Sequence, residues 1–350
     1  MNSLIIYYFI FIIDYIICIF ASKTKNKLLL LLSFLLPVIF VGFRYNVGTD
    51  FQSYVYMFEN FKTLSFHQML TNEWELASKI IIFILSKFFN NPSSLFLMIA
   101  ILNYLPIVII NKHFNYKYLP MSLFIYNCVF LPFCMNGMRQ GIAMCFIFYS
   151  VMLLLFNDQK KSILFLIISF LFHKSCILFL PYYYIIFTEK ENDNKNIGKK
   201  IILLTIVMSI LILFFLKNIL LNFGILKYSS YYNNINAENI SFSTLLTYMP
   251  IIIILLLSKY KDKVINTLKP IVISGYLYHV IGTTARYLYR ISLYFTLFEV
   301  ILIPYLIYNC KDKNTKIIIS LLFIIYLLIY FWYQFYIVGQ HEIFPYIFKF

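Results

Sequence analysis

Three stretches of this chain are too apolar for any water-facing element. From Leu4 to Phe20 one charged side chain, Asp14, interrupts the apolar run, and Ile201–Phe215 and Ile317–Tyr333 carry no charge at all. Runs of this length approach the thickness of a bilayer's hydrocarbon, where backbone N–H and C=O groups must be bonded within the protein. An outer-membrane barrel meets that demand with strands that alternate polar and apolar residues, and these runs do not alternate. The α-helix remains. Over the whole chain 62% of residues are hydrophobic and 12% charged, against roughly half and a quarter in a soluble domain. The sequence therefore predicts an all-α, polytopic membrane bundle over residues 1–350 that crosses the bilayer roughly ten to twelve times. The first run has no basic residue before it and no evident small-residue cleavage site, so it is expected to remain as the first helix.

Spanning segments are expected near 4–20, 28–43, 93–111, 119–135 and 141–156, then as a pair at 162–172 and 176–187 that turns at His173. Further segments fall near 201–222, 244–258, 268–288, 291–308 and 317–337. Lysine clusters lie between them, at Lys23–Lys27, Lys112–Lys117, Lys160–Lys161, Lys190–Lys200, Lys259–Lys269 and Lys311–Lys316. The positive-inside bias makes these loops cytoplasmic, and it accounts for the net charge of +15 without a nucleic-acid partner. From residue 44 to residue 78 the acidic Asp50, Glu59, Glu73 and Glu75 outnumber Arg44 and Lys62, so this stretch is expected outside. Leu76–Phe89 is short and holds Lys79 and Lys87. A crossing there would turn the Lys112 cluster outward, so an interfacial or re-entrant helix is expected instead.

Under this topology 18 of the 25 lysines are cytoplasmic, whereas all four arginines, Arg44, Arg139, Arg286 and Arg290, fall at outer helix ends. A topology signal does not distinguish the two cations. A planar fork for phosphate or carboxylate oxygens does, so the outer face reads as a site for an anion with several oxygens.

Four clusters could carry chemistry. Arg44-Tyr-Asn-Val-Gly-Thr-Asp50, with Tyr54 one turn on, sets a cation, a glycine turn and a carboxylate at a helix end; an internal Arg–Asp pair is the structural alternative. Met138-Arg139-Gln140-Gly141 opens a helix whose N-terminus attracts anions, and Gly141 and Ala143 permit close helix packing; a snorkelling arginine is the alternative. His173 and Lys174 interrupt an apolar stretch, and His173 suits a proton acceptor, a ligand for a sugar or phosphate oxygen, or a buried structural histidine. Arg286 and Arg290, four residues apart, place two guanidiniums on one helical face that His279 and Thr283 continue inward, a match for a diphosphate; an outer-end basic pair facing lipid headgroups is the alternative. Asp14 and Glu299 lie within spans and are expected to be paired. The tyrosines of Lys227–Tyr232 suit weak stacking on sugar rings. Six cysteines without a Cys-x-x-Cys pair read as small buried hydrophobes.

At these residues the chain resembles the EpsG-like branch of the Wzy oligosaccharide repeat-unit polymerases. The matching stretches are FRYNVGTDFQSYVYMF at 43–58, NEWELASKIIIFIL at 72–85, MRQGIA at 138–143, FHKSCILFLP at 172–181, ARYLYRISLYF at 285–295 and PYIF at 345–348. They follow the family's order over nearly the whole chain. The resemblance implies a GT-C-like membrane glycosyltransferase of the bacterial plasma membrane that makes capsule, exopolysaccharide or O-antigen. Its substrate would be an undecaprenyl-diphosphate-linked oligosaccharide at the outer leaflet, with membrane lipid around it and a flippase and a chain-length regulator as partners. No cofactor or metal is implied, and inversion at the anomeric carbon is expected. In that setting Arg286 and Arg290 would hold the departing diphosphate, and Arg139, with Gln140 beside it, would hold a second one or complete the first site. Asp50 or His173 would accept the proton, while Arg44, Tyr54, His279 and Thr283 would complete the substrate site. An O-antigen ligase and a flippase for lipid-linked glycans are the alternatives.

Overall fold

The computed structural model describes residues 3–189, 196–222, 242–258, 262–282 and 289–349. The chain is a helical membrane bundle with no strand among these residues, as its patterning predicts. The helices are α1 (Ser3–Thr24), α2 (Lys27–Gly42), α3 (Phe51–Thr63), α4 (Phe66–Thr71), α5 (Leu76–Phe88), α6 (Ser93–His113), α7 (Leu119–Ile125), α8 (Leu131–Cys134) and α9 (Met138–Leu155). They continue as α10 (Gln159–Phe172), α11 (Leu180–Thr188), α12 (Ile197–Asn222), α13 (Phe242–Leu257), α14 (Lys263–Gly282), α15 (Tyr289–Thr296), α16 (Glu299–Tyr308) and α17 (Lys313–Phe331). Among the described residues four helices, at Ser3–Thr24, Ser93–His113, Met138–Leu155 and Lys313–Ile337, are long and apolar enough to cross a bilayer. The pair α15–α16, bent by 45°, makes a fifth. Local chemistry sets several ends: Asn26 caps α2, a Ser65/Gln68 capping box starts α4, and Asp158 and Asp312 cap α10 and α17. The expected turn at His173 is present, where α10 stops in extended backbone and a 3-10 segment, Lys174–Phe179, follows.

The chain divides into two compact units that interleave in sequence. The first comprises Met1–Leu153, Asp158–Cys176 and Ile307–Phe350. In it α1 packs on α2 and α7, and α2 on α6. Tyr7 gathers Phe11, Phe40, Phe331 and Tyr346 around it at ring separations of 5.2 to 5.9 Å. Helices α3, α4 and α5 fold as a cap whose lysines stop helices. Lys79 is buried and donates to Leu70 O (2.6 Å) and Asn72 O (3.0 Å) at the end of α4, and Lys87 donates to Lys62 O and Leu64 O at the end of α3. Residues 339–349 return across the start of this cap. Tyr45 N–H donates to Ile347 O, Lys349 N–H to Phe43 O and Gly48 N–H to Glu342 O (2.8 to 3.1 Å), and Arg44 pairs with Phe348 in an isolated antiparallel bridge.

The second unit comprises Leu154–Asn157 and Ile177–Leu306. Its α14 packs on α12 and α15. Gly275 lets the last pair approach, because a Cβ there would stand 2.9 Å from the Thr296 backbone nitrogen. Buried hydroxyls join the helices: Thr205 donates to Ser274 (2.6 Å), and Tyr182 bonds both Thr205 and Tyr278. The carboxylates within spans are paired with neutral groups rather than cations. Asp14, in the first unit, accepts from the Asn127 amide (3.2 Å), itself bonded by Tyr104 (2.5 Å) on a π-turn at 126–130, and Glu299 accepts from Tyr276. A neutral donor satisfies a buried carboxyl without a second buried charge.

Candidate active site

The loop after α2 is organised by a buried arginine. Arg44 is 1% exposed, and its guanidinium donates to Val41 O (2.8 Å), Met135 O (2.9 Å) and Val47 O (3.4 Å) while lying 4.6 Å from the Phe96 ring. Its donors thus hold the main chain of its own loop and of the segment before α9. The expected alternative, a pair with Asp50, is not formed. Burial pulls its pKa down to about 10, so the guanidinium stays protonated at neutral pH.

Asn136 fixes the other side of this loop. Its side-chain oxygen accepts from Thr49 Oγ1 (3.0 Å) and Asp50 N–H (3.4 Å), and its amide donates to Pro132 O and His341 O. Gly48 passes directly over it at φ +97°, a conformation that L side chains avoid. Asp50 thereby stands at the start of α3, with its carboxylate 3.4 Å from Thr49 Oγ1.

Next to this loop, on α3, Tyr54 accepts the backbone N–H of Arg139 at the start of α9 (3.3 Å). The Arg139 guanidinium stacks over Trp74 at 4.3 Å and forms an ion pair with Glu75, and Trp74 meets Tyr54 edge-on at 4.9 Å. The side chains of Arg139 and Glu75 are 28% and 12% exposed, so the pair stands at the mouth of the site rather than within a core. Behind Arg139 a crevice of ≈10 Å³, room for about one water, runs between Ile82, Leu95, Ile99 and Ile142. Gln140 is buried in the first turn of α9 and does not line it. Gly141 approaches the Cys134 backbone to within 3.3 Å of a built Cβ, the close packing its small size predicts.

The crevice ends at Ser78 and Phe172, where Ser78 donates to Phe172 O (3.4 Å). His173 follows. Its Nδ1 accepts the Ser175 N–H (3.2 Å) and lies 2.8 Å from Ser175 Oγ. An imidazole that accepts at Nδ1 carries its proton on Nε2 when neutral. Arg44, Asp50, Tyr54, Arg139 and His173 therefore share one neighbourhood of the first unit.

The remaining sequence-predicted residues belong to the second unit. His279 on α14 contacts Ser292 Oγ (3.2 Å) on α15 and Tyr248 (3.3 Å) on α13. Arg290 is in the first turn of α15. Because α14 and α15 pack side by side, His279 and Arg290 stand on two neighbouring helices rather than along one helical face. Thr283, Arg286 and Lys227–Tyr232 lie outside the described residues.

Sequence reasoning missed Trp74, Glu75 and Asn136 as parts of the site. The dipeptide Trp-Glu beside an acidic outer stretch was a signal for the first two, because a stacking ring and a carboxylate are what a surface guanidinium needs. Asn136 gave no signal, since its partners are remote in sequence. A family model described as the EpsG family matches residues 27–348. No curated protein and no solved structure matches the chain.

Proposed function

The chain belongs to the EpsG family of Wzy-type polysaccharide polymerases, and on that premise we propose that it joins undecaprenyl-diphosphate-linked oligosaccharide repeats at the outer leaflet of the bacterial plasma membrane. The growing glycan leaves its lipid diphosphate and is transferred to a new lipid-linked repeat. A hydroxyl oxygen of that acceptor attacks the anomeric carbon, the bond from that carbon to the diphosphate oxygen breaks, and the hydroxyl proton passes to a base. Inversion follows from a single displacement. The diphosphate leaves with its electron pair, and guanidiniums neutralise it in place of a metal.

The observation that carries this reading is the Arg139 fork, held between the Trp74 ring and the Glu75 carboxylate at the mouth of an apolar crevice. A stacked, partly exposed guanidinium beside apolar walls suits a diphosphate that carries a hydrocarbon chain. Asp50 is assigned as the base, since the Nδ1 lone pair of His173 is engaged by Ser175. Arg44 positions the loop that carries Asp50. Arg286 and Arg290 are assigned to the departing diphosphate, and His279 and Thr283 to binding the same substrate.

The test is reconstitution. Purified protein in liposomes, given only undecaprenyl-diphosphate-linked repeats, is expected to make a ladder of longer lipid-linked glycans. One undecaprenyl diphosphate should be released per joined repeat, without nucleotide sugar and with little effect of chelators. Transfer to a different acceptor only would mark a ligase. Movement of intact repeats across the bilayer with no new bond would mark a flippase.

A further inference from the structure

Helix α3 presents a second face beside the one that carries Tyr54. Phe51, Gln52 and Val55, at one-turn spacing, front a separate cavity of ≈230 Å³ that is closed by Asn91 and Ser93 before α6 and by Tyr45 and Lys349. At about 30 Å³ per water this space holds roughly eight waters, and it falls below the several hundred Å³ of pockets for larger ligands. It fits a single ring.

The walls state what kind of ring. Phe51 and Phe96 form a buried apolar floor, stacked 4.6 Å apart, and Val55 and Pro92 extend it. Beside Lys349 the rim is polar, and its amides are already oriented by single bonds. Gln52 Nε2 donates to Asn46 Oδ1 (2.7 Å), which leaves the Gln52 carbonyl as the acceptor, and Asn91 Oδ1 takes the Ser93 N–H (2.9 Å), which leaves the Asn91 amide as the donor. An apolar floor with alternating donors and acceptors at its edge matches a pyranose, whose faces are C–H and whose edge is hydroxyl.

Charge narrows the class further. The ionisable side chains other than tyrosine that line the cavity are Arg44 and Lys349, both cationic. Arg44 is committed to backbone carbonyls and contributes field rather than contact. Lys349 is exposed, with its ammonium 4.3 Å from the Tyr45 ring. One accessible point charge suits one carboxylate, whereas a diphosphate needs forks. We propose that this cavity is a saccharide subsite that takes one carboxylate-bearing pyranose of the substrate glycan, with Lys349 on its carboxylate and the amides of Gln52 and Asn91 on its hydroxyls. The inference rests on the reading that the chain handles lipid-linked glycans, and it restricts that substrate to acidic repeats.

Free glycosides test the subsite apart from catalysis. Methyl β-D-glucuronide, methyl α-D-galacturonide and methyl β-D-glucoside would be titrated against the full chain in nanodiscs by saturation-transfer NMR. At least one acidic glycoside should bind five- to tenfold more tightly than the glucoside, and high salt should erase the difference. Lys349→Gln should remove the preference and keep the weak binding. Val55→Trp, which fills the cavity, should abolish binding of all three. Arg139→Gln, in the neighbouring crevice, should leave all three unchanged. The proposal is overturned if neither acidic glycoside binds, if the preference survives Lys349→Gln, or if Arg139→Gln removes it. Acid-selective binding by a protein that polymerises no lipid-linked repeat would sink the proposed function and leave the subsite standing. Polymerisation without such binding would do the reverse.

Discussion

Replacing Gly48 by alanine tests whether the loop that carries Asp50 is held as described. An L residue at φ +97° lies beyond the left-handed well and costs about 1–2 kcal/mol in backbone strain. The new Cβ would also stand 2.6 Å from Asn136 Oδ1 and 3.2 Å from its Cγ, so the amide must move. That oxygen accepts from Thr49 and Asp50, and each bond is worth about 1 kcal/mol. Losing one or both brings the local cost to roughly 3 kcal/mol, about a hundredfold in the equilibrium for opening the loop. Amide hydrogen exchange of the protein in nanodiscs reads this directly. Peptides covering 44–52 and 339–349 should exchange about a hundredfold faster, while α1 and α2 keep their protection. Gly339→Ala is the control, because Gly339 has φ +72° and nothing within 4 Å of a built Cβ, so only the backbone strain is added. Unchanged protection at 44–52 in the Gly48→Ala protein would refute the reasoning.

Further changes probe other parts of the molecule. Arg139→Lys keeps the charge and loses the fork, and polymer yield at matched protein level should fall at least tenfold; a normal yield would remove the assigned role. Glu75→Gln breaks a half-buried pair and should cost about 1–2 kcal/mol in denaturant unfolding, between the exposed and the buried limits. Lys79→Met leaves the carbonyls at the end of α4 without their cation and should cost about 2 kcal/mol, read as faster exchange across 66–76, with a smaller effect from the more exposed Lys87→Met. Gly275→Val drives a side chain into Thr296 and should lower unfolding stability by about 3 kcal/mol. The Asp158 and Asp312 carboxyls are held below their ordinary range, by the Lys161 side chain and by the Thr315 hydroxyl respectively. Their caps should be fully effective above the unfolded value of about pH 4 and be lost as pH falls through the lower folded values, seen as fraying of the first turns of α10 and α17 in exchange.

The apolar runs made the fold legible because a helix in lipid must satisfy its backbone locally, and local satisfaction is written in local sequence. The turn at His173 and the helix over 76–88 were readable for the same reason. Roles that depend on remote chain were not. Arg44 reads as a ligand-facing cation until Met135 and its own loop take up its donors. Lys79 reads as a charge that keeps a helix out of the membrane, yet it closes the end of α4. Asn136 is one polar residue among apolar neighbours, and its two loop bonds and its bond to His341 reach 86, 87 and 205 residues away.

The stitching of residues 339–349 onto the loop after α2 also sets a timetable. Gly48 leaves the ribosome 294 residues before Glu342, whose carbonyl it bonds. At ~5–20 residues per second, that interval is roughly 15–60 s. Throughout it the early helices can already be inserted while the Gly48 N–H and the Asn136 amide still lack their late partners. The loop after α2 is therefore closed last, and a nascent chain inserted through α10 cannot yet order it, however complete its membrane helices are.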